Sequence, residues 1–251
     1  MSSTRPARKS PAKNAAGSSN DHGDASSQDS TKSRTLDVAE QLFMEHGFEA
    51  TSLRSLTSSA GVNLAAVNYH FGTKEELFQA VLTRRLDPMN QERIELLGKL
   101  ERDHGGRPIA CERILAAMLV PALRLARDEK RGGKNFLRLL GRAYADPAPF
   151  IRHFLSAQYT EMIARYKEAF HRALPHLSRQ ELTWRLHFVM GALSYTLAGT
   201  DALKLFSQVT AVEKDNDELL IQRLAPFLVA GLKAPALTEA RKLELVAGGT
   251  P

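Results

Sequence analysis

The chain has 251 residues, with 34 Lys and Arg against 28 Asp and Glu, a formal net charge of +6 with histidine neutral, and one cysteine. The positive balance favours an anionic partner without naming it, and the lone Cys111 excludes both an internal disulfide framework and a cysteine metal cage. Charged residues interrupt every apolar stretch well short of a membrane span and the N-terminus shows no apolar signal segment, so the expectation is a cytoplasmic chain with no membrane partner.

Residues 1–30 are rich in Ser, Ala, Asn and Asp and lack apolar side chains to offset ordering entropy, which predicts a disordered arm. Arg5, Arg8, Lys9 and Lys13 can add non-specific attraction to phosphate, or the arm can simply aid solubility. From Lys32, Leu36, Ala39, Leu42 and Phe43 recur at helical spacing until His46-Gly47, where glycine suits a helix end. A second helix starts at Thr51-Ser52, either of which can cap it, carries Leu53 and Leu56 inward, and stops at Ala60-Gly61. Asn63 caps a third helix, Leu64 to His70, ended by Phe71-Gly72. Thr73 with Glu76 makes a capping box that opens a fourth through Leu77, Phe78, Val81 and Leu82.

Beyond Pro88 no segment alternates convincingly with period two, and turn signals separate further helices. The longest apolar stripe predicts one helix from Pro149 to Leu174. Ser178 and Glu181 then form a second capping box, and the helix they open, to about Ala198, is apolar on nearly every side. Such a helix has to be covered twice, so Leu186, Val189 and Leu193, with Leu220, Leu224 and Phe227 from the next apolar run, are expected to form a homodimer interface. Pro121 and Pro226 are expected to kink their helices, and residues 233–251 to form a flexible tail in which Leu237 to Val246 can make a short helix.

Two short helices joined at a glycine, residues 52–71, read as a helix-turn-helix. Small side chains at the start of its second helix, Ala65 and Ala66 behind Asn63 and Leu64, let that end descend into a major groove about 12 Å wide. Val62, Val67 and Phe71 are expected to face a three-helix core with Leu42, Phe43, Phe48, Leu53 and Leu56, leaving Asn68, Tyr69 and His70 for bases and phosphates. Thr51, Ser52 and Arg54 on one helix start, and Thr73 and Lys74 on the next, offer hydroxyls, N–H groups and cations to the DNA backbone.

Residues 39–82, with Gly47-Phe48, Thr51, Gly61-Val62, Tyr69-His70-Phe71 and Lys74-Glu75 in register, resemble the TetR-type one-component transcriptional regulators. Asn68 departs from the pattern, standing where many members carry tyrosine, and asparagine can read adenine edges. The resemblance implies an all-α protein with a DNA-binding domain at 31–88 and a ligand-sensing, dimerising domain at 89–232. It also implies a homodimer on a palindromic double-stranded DNA operator. NFLRLLGRAYADP and ELTWRLHFVMGALSYTLAG are similar to the fatty-acid-responsive branch related to PsrA, which implies release of the operator by a fatty acid or acyl-CoA.

An acyl ligand needs an apolar tunnel with a cationic or hydrogen-bonding mouth, since its tail contributes roughly 0.8 kcal/mol per buried methylene and its head must be paired. Candidates are Phe136, Leu140 and Tyr144 on one helix face, Arg138 and Arg142 on another, and Tyr159, Trp184 and His187 on neighbouring helices. Each is equally at home in a core or on a solvated face. No His pair has metal-ligand spacing, no Gly-rich phosphate loop is present and no nucleophile elbow occurs, so neither metal, cofactor nor catalysis is expected. The rival class, a helical lipid carrier or enzyme, predicts no sequence-specific DNA footprint.

Overall fold

The computed structural model describes residues 21–128, 130, 132–145, 148–197 and 217–236. Among these, ten α-helices and no strand are found: α1 Asp21–Ala50, α2 Leu53–Ala60, α3 Leu64–Phe71, α4 Lys74–His104 and α5 Cys111–Arg127, followed by α6 Gly133–Ala145, α7 Pro149–Gln158, α8 Thr160–Ala173, α9 Arg179–Leu197 and α10 Asp217–Lys233. The all-helical expectation holds. The basic arm up to residue 20, and the short helix expected at Leu237 to Val246, lie outside the described residues.

Several boundaries move. α1 begins at Asp21, so ten residues of the expected 1–30 arm are helical, and adding turns to a packed helix costs far less than nucleating one. Its regular part breaks at Gly47 (φ 80, ψ 175), a conformation essentially restricted to glycine. The break lets Phe48 turn into an aromatic cluster with Phe43, Phe78 and Phe150. The continuous helix expected from Pro149 to Leu174 is two helices, interrupted at Tyr159 (φ −116, ψ 19). Tyr159 is buried and its hydroxyl donates to Asp87 on α4 at 3.0 Å, while the Thr160 hydroxyl turns back onto the carbonyls that α7 leaves free. α5 and α10 run on through Pro121 and Pro226.

Two apolar cores lie along the molecule. The first joins Phe43, Leu56, Val67, Phe71 and Phe78 of α1 to α4 with Leu125, Phe136, Leu140, Ile151 and Leu155 of α5, α6 and α7. The second joins Leu97, Ile114, Leu115, Phe170, Leu182, Val189 and Leu232 from α4, α5 and α8 to α10. α4 runs on through the exposed Pro88, where the expected domains meet, and the first core draws on residues from both sides of it. Glu40 adds a polar joint: its buried carboxylate receives Arg84 and Arg85, tying α1 to α4.

Candidate nucleic-acid interface and interior cavity

α2 and α3 form the helix-turn-helix. Ser52 caps α2, accepting from the Ser55 N–H at 3.0 Å, and Gly61 closes it in the left-handed conformation. Asn63 Oδ1 accepts the Ala66 N–H at 2.7 Å, so α3 starts at a defined residue and angle. Val67 and Phe71 sink into the first core. The opposite face, Leu64, Ala65, Asn68 and Tyr69, stands in solvent, with Tyr69 78% exposed and its ring edge-on to the half-buried His70. α3 ends at Gly72, where φ is +72 and an added Cβ would lie 2.2 Å from Glu76 Oε2. That carboxylate accepts the Thr73 N–H at 2.8 Å, and these bonds from Thr73 hold the exposed Glu76 below the usual carboxylate range.

The structure divides the expected DNA contacts. Ser52, Arg54, Asn63, Leu64, Ala65, Asn68, Tyr69 and Thr73 are exposed on the side of the helix-turn-helix away from the core. Thr51 is only 2% exposed; its hydroxyl donates to the Gly47 carbonyl at 2.7 Å and lies 3.2 Å from that of Leu42. It pins the α1–α2 corner and has no surface for phosphate. Lys74 is half-buried at the same corner and keeps one of its three donors. Its Nζ donates to the carbonyls of Phe48 (2.9 Å) and Thr51 (3.1 Å) and sits 4.1 Å from the Phe48 ring centroid, neutralising carbonyls that the break at Gly47 strands.

A cavity of about 470 Å³ opens between α4, α5, α6, α7, α8 and α9. Of the residues expected to line it, Tyr144, Tyr159 and His187 do. Phe136 and Leu140 instead fill the first core, and Trp184 lies outside, 55% exposed and stacked on Phe188. Arg138 and Arg142 are exposed, one near Asn135 and the other donating to the Met44 carbonyl at 3.3 Å. The wall has apolar parts from Met118, Leu155, Met162 and Phe170, and residues expected at a dimer interface, Leu186, Val189 and Leu193, also belong to it. Periodicity had marked these as inward positions without saying inward to what.

Arg93, on α4, was missed by the sequence reading. Its Nε donates to the Met118 carbonyl and its Nη1 to Asn90 Oδ1, both at 2.8 Å, and burial lowers its pKa, with Tyr144 and Tyr166 opposing. Burial raises Tyr144, while Arg93 opposes. Burial and the neighbouring Asp87 push Tyr159 up strongly, and burial moves Tyr166, whose hydroxyl donates to the Arg93 carbonyl at 2.8 Å, up to about 12. Each tyrosine is a neutral hydroxyl at physiological pH. Among the described residues no group of His, Cys, Asp and Glu is arranged to hold a metal, and no helix is long and apolar enough to cross a membrane.

The helix expected to be covered twice is covered on one face by its own chain. Val189 and Leu193 are buried in their own chain, Leu186 and Leu224 are half-buried against the second core, and the side chain of Leu220 lies outside the described residues. The uncovered side of α9 carries Trp184, Phe188 (63% exposed) and Tyr195, and α10 adds Phe227 at 69%. Ser178 accepts the Glu181 N–H, but the Glu181 carboxylate turns to Arg185 instead of closing the box.

Residues 36–81 match the model of the bacterial regulatory proteins of the tetR family, and residues 116–231 that of the tetracyclin repressor-like C-terminal domain. The chain is 46% identical over 52 residues to the HTH-type transcriptional repressor ComR of Escherichia coli K12, an alignment covering 21% of this chain and 25% of ComR. It is 32% identical over 66 residues to the repressor KstR2 of Rhodococcus jostii RHA1, covering 26% and 32%. Thus the chain spans a quarter to a third of these two relatives. Similarity to the dual regulator CecR of Shigella flexneri is longer and weaker: 24% identity over 207 residues, 76% of this chain and 86% of CecR. The crystal structure of Mycobacterium smegmatis AmtR has the same fold, with a TM-score of 0.51 at 17% identity over 88% of this chain and 95% of that one. All three relatives are HTH-type transcriptional regulators. Because the first match falls on the helix-turn-helix end and the second on the helical body behind it, together covering most of the chain, the chain belongs to the TetR family of transcriptional regulators.

Proposed function

We propose that the protein is a homodimeric repressor that binds a palindromic operator and is released from it by a small hydrophobic effector, with a long-chain fatty acid or its CoA thioester as first candidates. The observation that carries the reading is the outer face of α3, exposed and rich in small and hydrogen-bonding side chains while the inner face anchors it in the core. Asn68 and Tyr69 are the base-reading candidates, with His70 beside them; Ser52, Arg54, Asn63 and Thr73 are the groups for sugar and phosphate. A two-fold pair presenting two such helices about 34–36 Å apart fits successive turns of one DNA face. The exposed aromatics of α9 and α10 support the pairing, since four large apolar side chains left in water are costly unless a second copy covers them.

The cavity supports the effector, and α7 supplies a mechanical link. At one end Phe150 packs 4.7 Å from Phe48, beside the lysine-held corner; further along, Leu155 and Ser156 wall the cavity. A ligand that moves α7 changes how the helix-turn-helix is seated, and a coupling of about 1–3 kcal/mol lowers operator affinity some 5- to 150-fold.

Selecting bound sequences from a random DNA pool, with and without oleate or oleoyl-CoA, tests the reading. A two-fold symmetric sequence should emerge and vanish from the bound fraction with effector. Enrichment of no sequence at all overturns the proposal. Affinity for the selected site should also fall steeply with salt, by a log–log slope of about −0.9 per neutralised phosphate.

A further inference from the structure

Several half-buried or bridging arginines are paired with carboxylates: Arg84 and Arg85 with Glu40, Arg124 with Glu92, Arg165 with Glu101. Arg93 is not. Both of its geometrically placed hydrogen bonds go to neutral acceptors, the Met118 carbonyl and Asn90 Oδ1, and among the described residues no Asp or Glu pairs with it. The guanidinium nevertheless forms part of the cavity wall. Among the described residues that wall contains Arg93, Arg152 and Lys167 and not one Asp or Glu. Arg152 is exposed, and Arg93 and Lys167 are half-buried, with Arg93 set between α4 and α5 against Tyr144, so a guanidinium without a counter-charge faces an otherwise largely apolar space.

A charge withdrawn from water is costly unless it is paired, and a guanidinium with two donors engaged keeps others in a planar fork suited to a carboxylate. We infer that Arg93 receives the head group of an organic monocarboxylate whose apolar body fills the remaining cavity, making it the residue that selects an anionic effector. The inference rests on the cavity being the effector site proposed above, and it deepens that reading by choosing between its two candidates. A free acid brings the charge that Arg93 lacks. A thioester brings a neutral carbonyl and a bulky polyanionic nucleotide that 470 Å³ does not enclose beside an acyl chain. Asn90 and the Tyr144 hydroxyl stand beside the fork as neutral donors for the second carboxylate oxygen.

The test uses the full-length protein and matched probes: decanoate, 1-decanol and decylamine, then 1-naphthylacetate and its alcohol, titrated by calorimetry. The acids should bind at least about ten-fold tighter than their alcohols, and the amine not measurably. Arg93→Met should abolish the preference for acid over alcohol, and Arg93→Lys should retain part of it. Equal affinity of acid and alcohol, an unchanged acid preference in Arg93→Met, or no binding of either acid overturns the assignment. If the methionine variant does not fold, the acid, alcohol and amine series on the wild-type protein still decides. Release of the selected DNA is recorded in parallel. Acids that bind without affecting DNA sink the regulator mechanism and leave Arg93 standing, whereas release by alcohols alone does the reverse.

Discussion

Thr51 and Lys74 show how the same side chain supports opposite readings. A hydroxyl and an ammonium at helix starts are natural phosphate ligands, and the sequence offers no sign that Gly47 strands carbonyls nearby. Folding presents those carbonyls at 2.7–3.1 Å from the two side chains, engaging the Thr51 hydroxyl and two of the three Lys74 donors. Lys74→Ala is therefore expected to cost about 1–3 kcal/mol of unfolding free energy, visible in urea denaturation, because it removes two charge-assisted bonds to partly buried carbonyls. Tyr69→Ala touches nothing in the core and should leave the denaturation midpoint unchanged while weakening binding of the selected operator by about 1–3 kcal/mol in fluorescence anisotropy. Cys111 is buried, and burial with the neighbouring Glu112 carries its thiol up to about 11. It should stay unlabelled by a disulfide reagent at pH 7.5 until denaturant is added, since almost none of it is thiolate there.

At the scale of elements, periodicity located α9 but not its orientation. An apolar helix with residues on every side has two buried faces, and only its neighbours determine which belongs to the chain. Packing against α6, α8 and α10 takes Leu182, Val189 and Leu193, leaving Trp184, Phe188 and Tyr195 outside. Substituting Phe188→Glu should give folded monomers by sedimentation velocity, while Val189→Glu buries a charge in the second core and should yield little soluble protein. The joint between α1 and α4 has a similar asymmetry. Glu40→Ala leaves the partly buried Arg85 without a carboxylate and Arg84 with only the exposed Asp37, an expected loss of about 3–5 kcal/mol in chemical denaturation. Helix starts were read well because Ser52, Asn63 and Thr73 cap through atoms within three residues; the break at Tyr159 was not, because its hydroxyl answers to Asp87 on another helix.

Over the whole molecule, the first core is the decisive feature. It runs from α1 to α7 without interruption, so the helix-turn-helix is seated on the body and not tethered to it. Phe150 makes that seat, meeting Phe48 at 4.7 Å and Phe78 at 6.3 Å. If α7 carries the effector signal, Phe150→Ala should leave effector binding intact by calorimetry and shrink the effector-induced loss of operator affinity, moving part of a coupling of about 1–3 kcal/mol to zero.

Local chemistry by itself determined the helical class, the capped starts, the glycine stops and the α3 face that meets solvent, because each depends on residues a few positions apart. Long-range contact decided the rest: that the first core runs across α4 into α7, that Lys74 donates to the carbonyls of Phe48 and Thr51, and that Arg93 faces the cavity with no carboxylate beside it. Whether a polar group is spent or available depends on which acceptors folding brings to it, and for Lys74 and Arg93 the acceptors Phe48, Thr51 and Met118 lie more than twenty residues away along the chain.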